Sequence, residues 1–206
     1  MSAYCCTPHA PAVDPRYRKA LWLALVVNAS MFAAEIAAAA SSGSVSLLAD
    51  AIDFFGDAAN YAISLAVLGM ALPARSKAAI VKAFCMGAFG VFVLARAGWV
   101  AATSATPEPI TMGAVGLLAL AANIGIALLL YAHRSGDANM RSAWICSRND
   151  AIGNVAVLVA AAGVFGTGSA WPDLAVATLM ALLAVWGAAT VLRHARQELR
   201  LAHAAH

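Results

Sequence analysis

The sequence predicts an all-α polytopic membrane protein with six transmembrane helices and both termini cytoplasmic. Three observations lead there. Of 206 residues, 63% are hydrophobic and only 11% charged, with a mean hydropathy of +0.79; a soluble domain carries about 25% charged residues. Six apolar stretches, near 20–40, 45–72, 78–102, 110–132, 140–167 and 172–194, use nearly the whole chain. Each reaches the roughly 20 residues that a hydrocarbon core of about 30 Å requires, and runs so long and rich in Ala and Leu read as helices. Finally, the basic residues alternate. Arg16, Arg18 and Lys19 precede the first run, Arg75, Lys77 and Lys82 flank the second connection, Arg134 and Arg141 the fourth, and Arg193, Arg196 and Arg200 follow the last. That places 11 of 13 Lys and Arg on one side and none on the other, with Arg96 and Arg148 inside spans. The positive-inside rule makes that side cytoplasmic.

The organisation expected is a cytoplasmic tail over 1–19, a six-helix membrane domain over 20–195 and a short cytoplasmic tail over 196–206. The first fifteen residues are polar and rich in Pro and Cys, unlike a cleavable signal peptide. The net charge of +3 follows from the loop asymmetry and implies nothing about nucleic acid. Cys5 and Cys6 are adjacent and Cys85 and Cys146 fall in spans, so no disulfide framework is evident and reduced thiols are the expectation.

Taken in order, the N-terminal tail offers Cys5, Cys6 and His9, soft ligands that could capture a metal ion; adjacent thiols also serve as lipidation sites or have no function. In the first span Glu35 is a lone acid, either a proton relay or a partner for Arg96 or Arg148. The second span holds Asp50, Asp53 and Asp57, whose offsets of 3, 4 and 7 put them on one helical stripe. Asp50 is nearest the outer end, where it would cap the helix or line an entrance. The third span carries Cys85, read as packing, and Gly87 and Gly90, which would permit a close helix contact, as in a homodimer formed through transmembrane helices. The fourth carries Asn123. The fifth sets Cys146 and Asp150 on one face, with Arg148 pointing roughly the other way. His133, His194, His203 and His206 lie at ends or loops, so no span supplies a histidine.

A charge at the bilayer centre costs about 2.5–3.5 kcal/mol on the gentler insertion scales. Two buried cations cannot neutralise all the buried acids. The second span runs outside to inside and the fifth inside to outside. At about 1.5 Å per residue Asp53 and Cys146 are each about 12 Å deep, so the two pairs can meet near the midplane. Three carboxylates and a thiolate make a plausible tetrahedral metal set. Carboxylates alone suit Mg2+, Mn2+ or Ca2+. A thiolate shifts the preference to Zn2+ and Cd2+, with Fe2+, Co2+ and Mn2+ as further candidates. Metal entry requires deprotonated ligands, which couples the site to protons.

The segments SLLADAIDFFGD, RSAWICSRNDAIGNVAV and WPDLAVATLMALLAVWGAATVLRHARQEL resemble the second, fifth and sixth helices of the cation diffusion facilitator transporters. Asn28 and Glu35 in the first helix and Asn123 in the fourth fit that family's pattern, and the resemblance covers roughly 16–198. It implies a six-helix unit with cytoplasmic ends, two ligands from each of helices two and five (Asp53, Asp57, Cys146, Asp150), and export of a divalent metal against protons. Asp50, Glu35, Asn28 and Asn123 are then accessory metal or proton positions. Two departures stand out: the family carries His or Asp where this chain has Cys146, and most members add a cytoplasmic domain after the sixth helix, so a short form is expected.

The function expected is efflux of Zn2+ or Cd2+ by metal/proton antiport, through rocking of whole helix groups, in the cytoplasmic membrane of a bacterium. The partners are lipid, metal ions and protons, with no nucleic acid and no prosthetic group. The alternatives are a Mn2+ or Fe2+ exporter of the same architecture and a non-transporting membrane sensor or metal chaperone. No nucleophile–base pair, phosphate loop or cofactor motif suggests an enzyme.

Overall fold

The computed structural model describes residues 15–67, 72–103, 105–132 and 138–204. It contains α1 (Pro15–Ser42), α2 (Val45–Val67), α3 (Leu72–Thr103), α4 (Pro109–Tyr131), α5 (Ala138–Thr167) and α6 (Trp171–Ala204). The all-helical architecture expected from hydropathy is the one observed. Five helices are long and apolar enough to cross a membrane by length and composition. The exception is α2, which has the length, 23 residues, but carries Asp50, Asp53 and Asp57.

Local chemistry sets the helix ends. Gly43 and Gly168 adopt positive φ angles of 73° and 62° just past α1 and α5, and their N–H groups bond back to Ala39 O and Val164 O at 2.9 and 2.8 Å. A left-handed residue at that position closes the helix, and glycine reaches it without a Cβ penalty. Before α4, the carboxylate of Glu108 accepts from Ile110 N at 2.9 Å and Thr111 N at 2.6 Å, with Pro109 following at the first position. Proline lacks the N–H that would be unpaired there.

The closest packing partners are α3 with α6, α1 with α2, and α4 with α5. Helices α1, α2, α4 and α5 form one bundle, in which Ala38, Leu47, Met112, Val157 and Ala161 share a core. The α3–α6 pair docks against α2 through Val45, Ala49, Val93, Ala97, Leu174 and Ala177. So the most acidic helix is also the one packed from most sides. Gly90 permits the α3–α6 approach: a Cβ there would lie 2.8 Å from Val185 Cγ2 and 3.1 Å from Ala181 O. The close contact expected of Gly87 and Gly90 is thus made to α6 of the same chain. Cys85 is a half-buried free thiol, in keeping with a packing role.

Phe84, Trp99, Leu128, Phe165, Trp171 and Trp186 are exposed on the outside of the bundle. So much exposed apolar surface suits hydrocarbon rather than water. The connections after α1, α3 and α5 meet at one end. Glu108 N donates to Ser42 O at 2.9 Å, and Thr106 Oγ1 donates to Gly168 O at 3.5 Å. These are the three connections without Lys or Arg.

Candidate metal centre

Helices α2 and α5 run antiparallel and are clamped at two levels. Asn154 Nδ2 donates to both oxygens of Asp50, at 2.9 and 2.7 Å. About three turns further along α2 and two back along α5, Tyr61 and Ser147 share a hydroxyl hydrogen bond of 2.7 Å. Between the clamps lie Asp53 and Asp57 on α2 and Asp150 on α5. Asp53 and Asp150 line one cavity of about 270 Å³, together with Asn149, Met86, Met180 and Ile52. Both are half-buried, while Asp57, one turn on, is buried.

The backbone of Cys146 belongs to α5, next to Ser147, but its side chain lies outside the described residues, as do Cys5, Cys6, His9, His133 and His206 and the side chains of His194 and His203. Among the described residues no three of His, Cys, Asp and Glu stand close enough together to hold an ion. The structure therefore brings Asp53 and Asp150 to one cavity, sets Asp57 on the neighbouring turn, and leaves the fourth expected ligand undescribed. Two carboxylates in a largely apolar cavity attract a cation, and the thioethers of Met86 and Met180 add soft sulfur to its wall.

The accessory positions form a second group. Asp50 is 1% exposed, which corrects the expectation that it caps α2 or lines an entrance. The cap comes from elsewhere: the buried carboxylate of Asp173, in the first turn of α6, accepts from Ser44 Oγ at 2.7 Å, Val45 N at 2.8 Å and Ser46 N at 3.1 Å. Asn123 Nδ2 donates to Asn154 Oδ1 at 2.9 Å, making a chain from α4 through α5 to Asp50. Asn28 turns onto its own helix, donating to Ala24 O at 2.7 Å. Glu35 is fully buried, its carboxyl in side-chain contact with that of Asp50 and within electrostatic reach of Asp53, and no amide, hydroxyl or guanidinium donor reaches its oxygens. Pairing with Arg96 or Arg148 is thereby excluded. Arg148 is exposed, bonds Asn149 Oδ1 at 3.2 Å and sits 5.4 Å over the Trp144 ring; Arg96 is exposed on α3.

Sequence reasoning missed Asn154, Asp173, Met86 and the Tyr61–Ser147 pair. Asn154 carried a readable signal, since it lies four residues after Asp150 on the same face. Asp173 did not: its partners are more than 120 residues away in the chain.

A family model described as the cation efflux transmembrane domain matches residues 21–200. Two curated proteins are similar: the metal cation efflux system protein CzcD of Cupriavidus metallidurans and the cation efflux system protein CzcD of an Alcaligenes strain. Each is 27% identical over 176 residues, covering 80% of this chain. The chain spans about half the length of these relatives, 56%.

Proposed function

This chain belongs to the cation diffusion facilitator family of cation efflux transporters, and from that premise we propose that it exports divalent metal ions, Zn2+ and Cd2+ foremost, in exchange for protons. The observation that carries this reading is the cavity shared by Asp53 and Asp150 between two antiparallel helices, with buried Asp57 one turn away. Isolated carboxylates at that depth are costly, and a divalent ion offsets the cost. Asp53, Asp57, Asp150 and Cys146 are the ligands of this reading, and the thiolate of Cys146 biases the set toward softer ions. The names of the similar proteins, both efflux system proteins, support the transport class.

Proton exchange follows from the ligand chemistry. Metal binding requires ionised carboxylates and thiolate, so loading expels protons and protonation expels metal. Alternating exposure of the site, metal from one side and protons from the other, turns that competition into antiport. We place the end where the α1–α2, α3–α4 and α5–α6 connections meet on the outer side, because those connections lack Lys and Arg. The bacterial sources of the similar proteins support a bacterial inner membrane.

The test is zinc flux into sealed vesicles containing the purified protein. Flux should rise with a pH gradient imposed in the favourable direction and reverse with its sign. Asp57→Ala and Asp150→Ala should each abolish it while leaving insertion intact. Wild-type flux in either variant removes the ligand assignment. Flux indifferent to the gradient removes antiport.

A further inference from the structure

Glu35 and Asp50 face each other beside the central cavity rather than within it. Helices α1 and α2 are in register so that Ala38 and Ala39 share a core with Leu47, and Met31 packs with Phe54. Residues 35 and 50 fall midway between those two levels. Both are sealed from solvent, at 0% and 1% exposure, and neither lines the cavity of Asp53 and Asp150.

The hydrogen bonds around the pair all run one way. Asn123 donates to Asn154, and Asn154 donates to Asp50. This chain commits the amide donors to Asp50 and fixes which way each amide points. What remains on this level is acceptors: Glu35 Oε1, Glu35 Oε2 and Asn123 Oδ1 are buried without a hydrogen-bond partner. An unpaired buried polar group costs about 1–3 kcal/mol, and more if it is charged. Two facing carboxylates add mutual repulsion. The Glu35 and Asp50 carboxyls are in side-chain contact with each other, and no amide or hydroxyl donor reaches Glu35, so the pair can be completed only by positive charge held between them, a proton or a cation.

We propose that Glu35 and Asp50, steadied by Asn154, form a second station for the transported divalent ion, built from oxygen ligands and separate from the site at Asp53, Asp57, Cys146 and Asp150. It rests on the transport reading above. Its position supports a role in passage, since Asp50 is one turn from Asp53 toward the end where the three short connections meet. Oxygen ligands hold softer ions less firmly than a set containing thiolate. An ion moving from the central site to this station therefore moves from a tighter to a looser hold before release.

The test is equilibrium dialysis of the full chain in detergent against Zn2+, with bound zinc counted per chain by elemental analysis. Glu35→Gln and Asp50→Asn, both isosteric, should each hold one zinc fewer than wild type. Asp57→Ala should also lose one, through the central site. Glu35→Gln combined with Asp57→Ala should lose two, while Glu35→Asp should retain the wild-type number. Monodisperse elution identifies folded protein, and either isosteric variant suffices if the other fails to fold. A folded Glu35→Gln or Asp50→Asn protein with the wild-type number overturns the station. So does a double variant that loses no more than Asp57→Ala alone. If the zinc number is unchanged and fewer protons are released on zinc binding, the pair holds a proton instead, which also overturns it. Loss in Glu35→Gln alongside wild-type zinc flux in Asp57→Ala would keep the station and reject the central ligand set.

Discussion

Truncating Asp173 should destabilise the bundle far more than its place in the sequence suggests. Its carboxylate is buried and accepts three hydrogen bonds from the start of α2: Ser44 Oγ at 2.7 Å, Val45 N at 2.8 Å and Ser46 N at 3.1 Å. Asp173→Ala leaves two backbone N–H groups of the first turn without an acceptor. It also removes a negative charge from the positive end of the helix dipole. The Ser44 hydroxyl also loses its acceptor, but Ser46 Oγ at 3.3 Å can take its proton, so it does not add to the loss. At about 1–3 kcal/mol for each orphaned donor, the expected cost is about 3 kcal/mol. Asp173→Asn keeps one oxygen for Ser44 and Ser46 and turns an NH2 toward Val45 N, for a cost of about 1 kcal/mol. For a chain of this size, 3 kcal/mol corresponds to a fall of about 6–12 °C in Tm. Thermal unfolding of matched detergent samples reads this directly. An Asp173→Ala protein that melts within a degree of wild type refutes the account. Zinc flux at a permissive temperature should survive, because Asp173 lines no part of the central cavity.

Three further outcomes follow from the geometry. Gly90→Ala should part α3 from α6, because its Cβ would sit 2.8 Å from Val185 Cγ2 and 3.1 Å from a backbone oxygen; the expected cost is about 1–3 kcal/mol, read as a lower Tm, and unchanged stability would contradict the close approach. Glu108 lies outside the spans, and hydrogen bonding from Thr111, through side chain and backbone, and from the Ile110 N–H holds its carboxyl below the ordinary value of 4.5. The stability it gives α4 is therefore complete above pH 4.5 and lost as pH falls through the lowered value, so the difference in melting between wild type and Glu108→Gln should shrink only at acid pH. Cys146→Asp should move the Cd2+-to-Mn2+ flux ratio toward Mn2+, and Cys146→His should retain Zn2+; a ratio constant across both variants would make Cys146 packing rather than ligand.

The all-helical architecture was legible because hydropathy reports membrane thickness. Helix ends were less so. The apolar run begins near 20, but α1 starts at Pro15, and α6 continues to Ala204, beyond the apolar limit near 194. A helix can run past the hydrocarbon with polar residues, so hydropathy finds the span and not the helix. In the centre, Asp53 and Asp150 line one cavity, while the side chain of Cys146 lies outside the described residues. Asp50 was misread because distance from a helix end was taken for exposure. Packing by α1 and α5 buries it instead, and the capping task falls to Asp173 across the bundle. That substitution depends on tertiary contact, to which local patterns are blind.

The placement of α2 joins stability to function. It is the helix whose composition least suits lipid, and the fold answers by surrounding it with α1, α3, α5 and α6. Shielding alone does not solve the electrostatic problem, because withdrawing carboxylates from both water and lipid raises the cost of their charge. Asp50 is answered by a neutral amide, which stabilises its charge without cancelling it. Glu35 meets only the carboxyl of Asp50, with no amide or hydroxyl donor. Only mobile positive charge can complete these groups, and both metal ions and protons supply it. Because the same oxygens accept either, occupancy by one excludes the other. On the proposed reading, exchange of metal for protons requires no device beyond buried carboxylates and a bundle that can expose them to one side at a time.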